Sequence, residues 1–289
     1  MKQHTIAKTV EFAGIGLHSG KNVHVVVHPA EENSGIRFRR VDLPNQPIIS
    51  ALIDNLHSKM RCTSLAIGEA HVFTTEHFLS VCMALQLDNL LIDLDYSEFP
   101  GMDGSALPFF ESLQNAGIVE QNAEAKVLSV RKKIVAKESF SKNLLKHIMR
   151  KPIAYIEVLP YPGKLLLEYE MIYSLPYLKQ HVSFEITPEI FQKEISGART
   201  FALKSEFAIG QKLGFGQGAN EQNTLIICEN GLPLNNTLRF SDEYARHKLL
   251  DLLGDLALIG QRLEGHFIAH YSGHSLNGKL AQQLVTLGS

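Results

Sequence analysis

The stretch from Asp242 to Gly260, DEYARHKLLDLLGDLALIG, is apolar on nearly every side of a helix. Such a helix cannot lie on a surface, so the rest of the chain has to cover it. Asp242 and Glu243 in its first turn suit the positive end of the helix dipole, and Gly260 supplies a stop. His247, Asp251 and Asp255 recur at a spacing of four and line one face, drifting about 40° per step. Solvated faces are usually dressed in Lys and Glu, whereas Tyr244, Gly254 and Leu258 surround this one. Its carboxylates are therefore read as partly buried, which is costly unless they are hydrogen-bonded, paired or metal-bound. An amphipathic helix with a solvated stripe is the plain alternative.

A second helix is expected from Thr74 to about Gln86, with Thr74 or Thr75 as N-cap and Glu76 in the first turn. Glu76 and His77 stand at the head of an otherwise apolar run, where neither serves packing. Alone they read as a cap and a surface histidine, and no second His makes an H-E-x-x-H motif. Beside His247-x-x-x-Asp251, however, His77 completes three N/O ligands and leaves zinc a fourth position for water. Thirteen histidines in 289 residues add weight to imidazole chemistry. His266, His270 and His274 are equally eligible as a further acid or base on chemistry alone, His274 lying in the turn-like YSGHSLN. Asp255 is the natural orienter for whichever is used.

Around these pieces the chain reads as two strand-then-helix halves. Val23 to His28, Ile36 to Arg40 and Asp88 to Asp95 are strand-like, and Pro108 to Gly117 reads as a helix with Pro at N1 and a Gly stop. A polar stretch, Glu120 to Lys126, places a boundary near residue 122, giving domains 1–122 and 123–289. The second half has strand patterns at Lys126–Val135, Ala154–Leu159, Lys164–Met171, Val182–Ile186 and Asn223–Cys228, a short helix at Pro188–Ile195, and a glycine-rich flap at Gly210–Gly218. The fold class is α+β.

Composition excludes several functions. Lys and Arg total 28 against 30 Asp and Glu, so no broad basic field attracts nucleic acid. No apolar run reaches the roughly 18 residues of a membrane span, and the N-terminus lacks a signal-peptide core, so a cytoplasmic protein is expected. Cys62, Cys82 and Cys228 are odd in number and scattered, which suits a reducing compartment and argues against disulfides or thiolate zinc. GIGLHSG at 14 to 20 has its last glycine one position late for a dinucleotide loop and reads as a tight turn; Gly214, Gly216 and Gly218 lack the Lys and Ser/Thr of a phosphate loop. Ser275 has no G-x-S-x-G elbow to make it a nucleophile.

Seven motifs in order resemble the UDP-3-O-acyl-N-acetylglucosamine deacetylases, which release acetate at an early committed step of lipid A synthesis. They are GIGLHSG, CTSL at 62 to 65, TTEH at 74 to 77, MDGSALPF at 102 to 109, ARTF at 198 to 201, RHKLLDLLGDL at 246 to 256 and SGHSLNGKL at 272 to 280. The resemblance implies a zinc-dependent amidohydrolase, one ion per chain held by His77, His247 and Asp251, with Fe2+ the alternative that an N/O site admits. It implies Glu76 as general base, His274 with Asp255 as a second acid–base arm, and Thr200, Phe201 and Lys248 against oxyanion or substrate. It further implies two domains, each a β-sheet with helices, packed with the helices sandwiched between the sheets, and an acyl-chain passage after Phe201. The sequence departs from the family pattern between Ala202 and Asn220, the segment that would line this passage. The substrate expected is UDP-3-O-acyl-N-acetylglucosamine, and the working unit a monomer. Two other readings are a noncatalytic metal-binding module, with Glu76 and Asp255 only orienting ligands, and an amidohydrolase of the same chemistry on another acylated amine.

Overall fold

The computed structural model describes residues 1–57, 62–138, 153–173 and 175–288. Among the described residues five helices of nine residues or more organise it, α1 (Glu76–Ala84), α2 (Leu107–Asn115), α3 (Lys204–Lys212), α4 (Glu243–Leu256) and α5 (His274–Gly288), and the expected short helix forms as Pro188–Ile190 running on into a π-helical turn, Phe191–Ile195. Two larger sheets carry them, and the whole is a two-domain α+β fold.

The first sheet runs in the order Val10–Ile15, Asn22–Pro29, Leu90–Leu94, Ile36–Arg40, Ile48–Ser50. It is antiparallel except where Ile36–Arg40 lies parallel to Leu90–Leu94. Alternation along Asn22–Pro29 turns Val23, Val25 and Val27 inward, as a half-buried strand requires. Rings then tie the sheet to the helices: Phe12 meets Phe109 of α2 at 5.0 Å, and Phe78 of α1 meets Phe99 at 5.0 Å and Phe109 at 5.8 Å. A small meander, Leu56–His57, Ser64–Ile67 and Ala70–Phe73, leads into α1. Lys2–Ile6 pairs with Ile118–Glu124, so the first half closes on its own beginning.

The second sheet has the order Ile134–Lys137, Tyr155–Leu159, Arg262–His270, Leu165–Ile172, Lys179–Glu185, with Val127–Ser129 parallel to Arg262–His270. Leu165, Leu167, Tyr169 and Met171 face inward against α4, while Glu168 and Glu170 face out. α4 is covered on the other side by α1, so helices from both halves lie between the sheets. Arg262 pins the halves together, donating to the Lys2 and Gln86 carbonyls and pairing with Asp88 at 2.7 Å.

The burial of α4 disposes of the solvated-stripe reading: His247, Asp251 and Asp255 are all buried, and Gly260 ends the turn after α4 in the left-handed region as expected. Other expectations need correction. Thr75 occupies the N-cap of α1, but neither threonine caps through its side chain; Thr74 sits at φ 60° with its hydroxyl on Glu98. Asp242 is the N-cap residue of α4, not part of its first turn, and its carboxylate pairs with Arg246. Lys126–Val135 divides between two strands that join different neighbours. Gly210 belongs to α3, so the glycine-bearing loop starts only at Leu213. His274 opens a 15-residue helix instead of lying in a turn. Among the described residues, all three cysteines are free and no helix is long and apolar enough to cross a membrane.

Candidate metal centre and active site

α1 and α4 touch where the chemistry lies. A Cβ on Gly254 would come within 2.0 Å of the Glu76 carbonyl oxygen, so only glycine lets the head of α1 reach α4. The contact sets Glu76 and His77 beside His247, Asp251 and Asp255. One ligand atom each from His77, His247 and Asp251 lie within 4.8 Å of one another. The two rings meet edge-on at 4.9 Å, and Asp251 Oδ1 is 3.7 Å from His77 Nε2 and 3.5 Å from His247 Nε2.

Outer contacts aim these donors. His247 Nδ1 donates to the Ala198 carbonyl at 3.0 Å, which leaves Nε2 as the free lone pair. Ala198 is fixed in turn by the buried Arg199–Glu243 pair, in which Glu243 also accepts from the Arg199 main chain. Lys248 Nζ occupies the other oxygen of Asp251 at 2.6 Å. Burial, then the neighbouring His247, pushes His77 down to about 3, and burial also lowers His247, so both rings are neutral ligands near neutrality. Burial opposes the Asp251 charge, but Lys248 and the imidazoles outweigh it and hold the carboxyl well below its usual range. Two neutral imidazoles and an ionised carboxylate suit a divalent ion with nitrogen and oxygen preference.

Two further titratable groups, Glu76 and His274, line one cavity with this set. Burial pushes Glu76 up to about 7, against the pull of His274. His274 Nδ1 lies 2.9 Å from Asp255 Oδ2, and its Nε2 faces Glu76 Oε1 at 4.0 Å. Burial disfavours the imidazolium, but Asp255 outweighs it and raises His274 to about 9. Strand alternation separates the three candidate histidines. His266 and His270 point to the outer face of the second sheet, onto Glu168 and Glu170, while His274 follows the strand's end into the helix layer.

A cavity of about 340 Å³ opens from these groups. Thr200, Phe201 and Lys248 line it, as do Leu203, Phe207, Phe215 and Ala219 from the segment after Phe201. His18, from the tight turn at 14 to 20, forms part of the opposite wall; the buried Glu98 accepts the His18 and Ser19 amides at 2.7 and 2.8 Å and holds that turn. Thr63, Glu98 and the close approach at Gly254 carry no periodic or spacing signal of their own in the sequence.

A buried N/O donor set sharing a cavity with a further carboxyl and imidazole is an arrangement that suits a metal-dependent hydrolase. Residues 3–286 match the family model for UDP-3-O-acyl N-acetylglycosamine deacetylase, and the chain belongs to that family. It is similar to the UDP-3-O-acyl-N-acetylglucosamine deacetylase of Pseudoalteromonas translucida, 34% identical over 293 residues that span all of this chain and 92% of that protein. The proteins of the same name from Pseudomonas entomophila and Legionella pneumophila are 34% and 35% identical, each over 99% of this chain and 90% of the relative.

Proposed function

We propose that this chain hydrolyses the acetamide of UDP-3-O-acyl-N-acetylglucosamine to the free amine and acetate, an early step of lipid A biosynthesis, with zinc held by His77, His247 and Asp251. One observation carries the reading: Glu76 and His274, 4.0 Å apart, line the same cavity as the donors His77, His247 and Asp251. The chemistry zinc brings when bound is a charge that lowers a water's pKa from about 15.7 toward roughly 7 and polarises the acetamide carbonyl.

The residues supply the rest. Glu76, poised near neutrality, accepts the proton of the attacking water. Charge then develops on the former carbonyl oxygen, and the Thr200 hydroxyl in the cavity wall donates to it. His274, kept cationic by Asp255, stabilises that charge and protonates the departing amine at nitrogen. Lys248 fixes the Asp251 carboxylate and lies in the wall against substrate, and Phe201 packs beside the His247 ring at 6.1 Å. The apolar wall from Leu203 to Ala219 suits an acyl chain. The same reading takes residues 1–122 and 123–289 as the domains, a monomer as the working unit and the cytoplasm as its compartment.

Acetate release from UDP-3-O-acyl-N-acetylglucosamine by chelator-stripped protein tests this, before and after one equivalent of zinc, with an anaerobic Fe2+ arm. Activity returning with zinc supports reaction and ion together; recovery with Fe2+ alone reassigns the ion. Folded, zinc-loaded protein without turnover would leave the noncatalytic reading in its place.

A further inference from the structure

We propose that Thr63 is a positioning residue shared by the acid and the base, holding both in register across the two halves of the molecule. The inference rests on the roles given above to Glu76 and His274. Thr63 is buried just ahead of the strand Ser64–Ile67, in the first half of the chain. Its main-chain N–H donates to Glu76 Oε2 at 3.0 Å. Its hydroxyl donates to Asp255 Oδ1, 192 residues away in the second half, and lies 3.2 Å from His274 Nδ1.

These contacts divide the work of each carboxylate. Asp255 Oδ2 accepts from His274 Nδ1 at 2.9 Å and from the Asn277 amide at 2.7 Å, so Oδ1 depends on Thr63 for its close donor. Without that hydroxyl a buried oxygen keeps only the longer, 3.2 Å approach of His274 Nδ1. An under-satisfied buried oxygen is costly, and rotation of the carboxylate to relieve it swings the imidazole. On the other side, anchoring Glu76 Oε2 turns Oε1 toward His274 Nε2 across 4.0 Å, too long for a direct hydrogen bond. Base and acid thus stand 4.0 Å apart without bonding to each other, because one residue restrains both.

The test compares Thr63→Val and Thr63→Ser in zinc-loaded enzyme. Valine removes the hydroxyl and leaves the main-chain bond to Glu76. We expect kcat to fall about 10- to 100-fold, the usual cost of losing such an orienting partner, with KM unchanged and one metal per chain retained. Serine should restore kcat. Adding Thr63→Val to His274→Ala should cost nothing further, because the hydroxyl acts through that arm. Wild-type kcat in the valine variant overturns the proposal, as do equal losses in valine and serine, losses in KM or metal content instead of kcat, or an additive penalty in the double variant. Should valine fail to fold, Thr63→Ala carries the same comparison; failure of both to fold makes Thr63 a purely structural residue and also overturns it. A zinc-loaded wild type that releases no acetate defeats the deacetylase reading and this role with it. An active wild type with a fully active Thr63→Val defeats the role alone.

Discussion

The His274–Asp255 pair between the helix layers and the His266–Glu168 and His270–Glu170 pairs on the outer face of the second sheet are all imidazole–carboxylate contacts within hydrogen-bond range, through Nδ1 of His274 and His270 and Nε2 of His266. Their rings are similarly buried. The acids are not: the side chain of Asp255 is 2% exposed, against 27% for Glu168 and 41% for Glu170. Water screens the outer pairs, whereas among the described residues Asp255 has the side chains of Thr63, Asn277 and His274 to face. The same pairing of imidazole and carboxylate is therefore expected to do different work according to the surroundings of the carboxylate. Each substitution below tries that conclusion in the interior or on the outer face.

The largest effect is expected from His247→Ala, which removes one of three donors. Metal analysis and acetate release should both fall to background, whereas Glu76→Ala should keep its zinc and lose turnover. An active, metal-free His247→Ala protein would falsify the donor assignment. Next comes Gly254→Ala. Its methyl would fall 2.0 Å from the Glu76 carbonyl oxygen, so α1 and α4 must part. Overpacking of this kind costs about 1–3 kcal/mol or more, and here it also separates His77 from His247. Thermal unfolding and zinc affinity should weaken together; a loss of stability with zinc affinity intact would show that the site tolerates the shift.

Asp255→Asn keeps the shape and removes the charge. We expect kcat to fall roughly 10²- to 10⁴-fold with metal retained, since the imidazolium loses its counter-charge and its ring orientation. The pH profile sharpens this. Glu76 works deprotonated, so the rate rises through about 7, and His274 works protonated, so it falls above about 9. A bound dication favours the carboxylate and disfavours the imidazolium, drawing both limbs downward. In Asp255→Asn the upper limb should move down and the lower one far less; equal movement of both would break the assignment of acid and base.

The interior was legible in the sequence where burial left a mark on composition. α4 could be read because the apolar residues around His247, Asp251 and Asp255 make a face bearing those three conspicuous. The head of α1 could be read for the same reason. α5 was missed because Gly273 and Gly278 bracket a start that looks like a loop, although Leu276, Leu280 and Leu284 repeat every four residues and are buried. The histidine choice was open because a ring on a strand and a ring on a helix look alike until alternation assigns a face. Thr63 and Gly254 were out of reach for a different reason: each acts on a partner far away in the chain, and tertiary contact has no sequence period. The family motifs contained both residues, CTSL and RHKLLDLLGDL, without indicating what either touches.

The smallest effect belongs to the outer face, and it bears most directly on the comparison. Glu168 bridges His181 and His266 at 2.9 and 3.1 Å. Partial burial disfavours its charge, but the two imidazoles outweigh this and hold its carboxyl below the usual range. Whatever the bridge contributes is therefore present above the ordinary carboxylate pKa and lost as the pH falls through the lowered one. Because the side chain meets water, that contribution should stay under about 1 kcal/mol. Glu168→Gln should leave kcat, KM and zinc content unchanged and shift the melting temperature by no more than a few degrees, less at high salt. If Glu168→Gln lowered kcat as Asp255→Asn does, exposure of the carboxylate could not be what separates the two regions, and the outer histidines would have to communicate with the site through the strand Arg262–His270 that leads to His274.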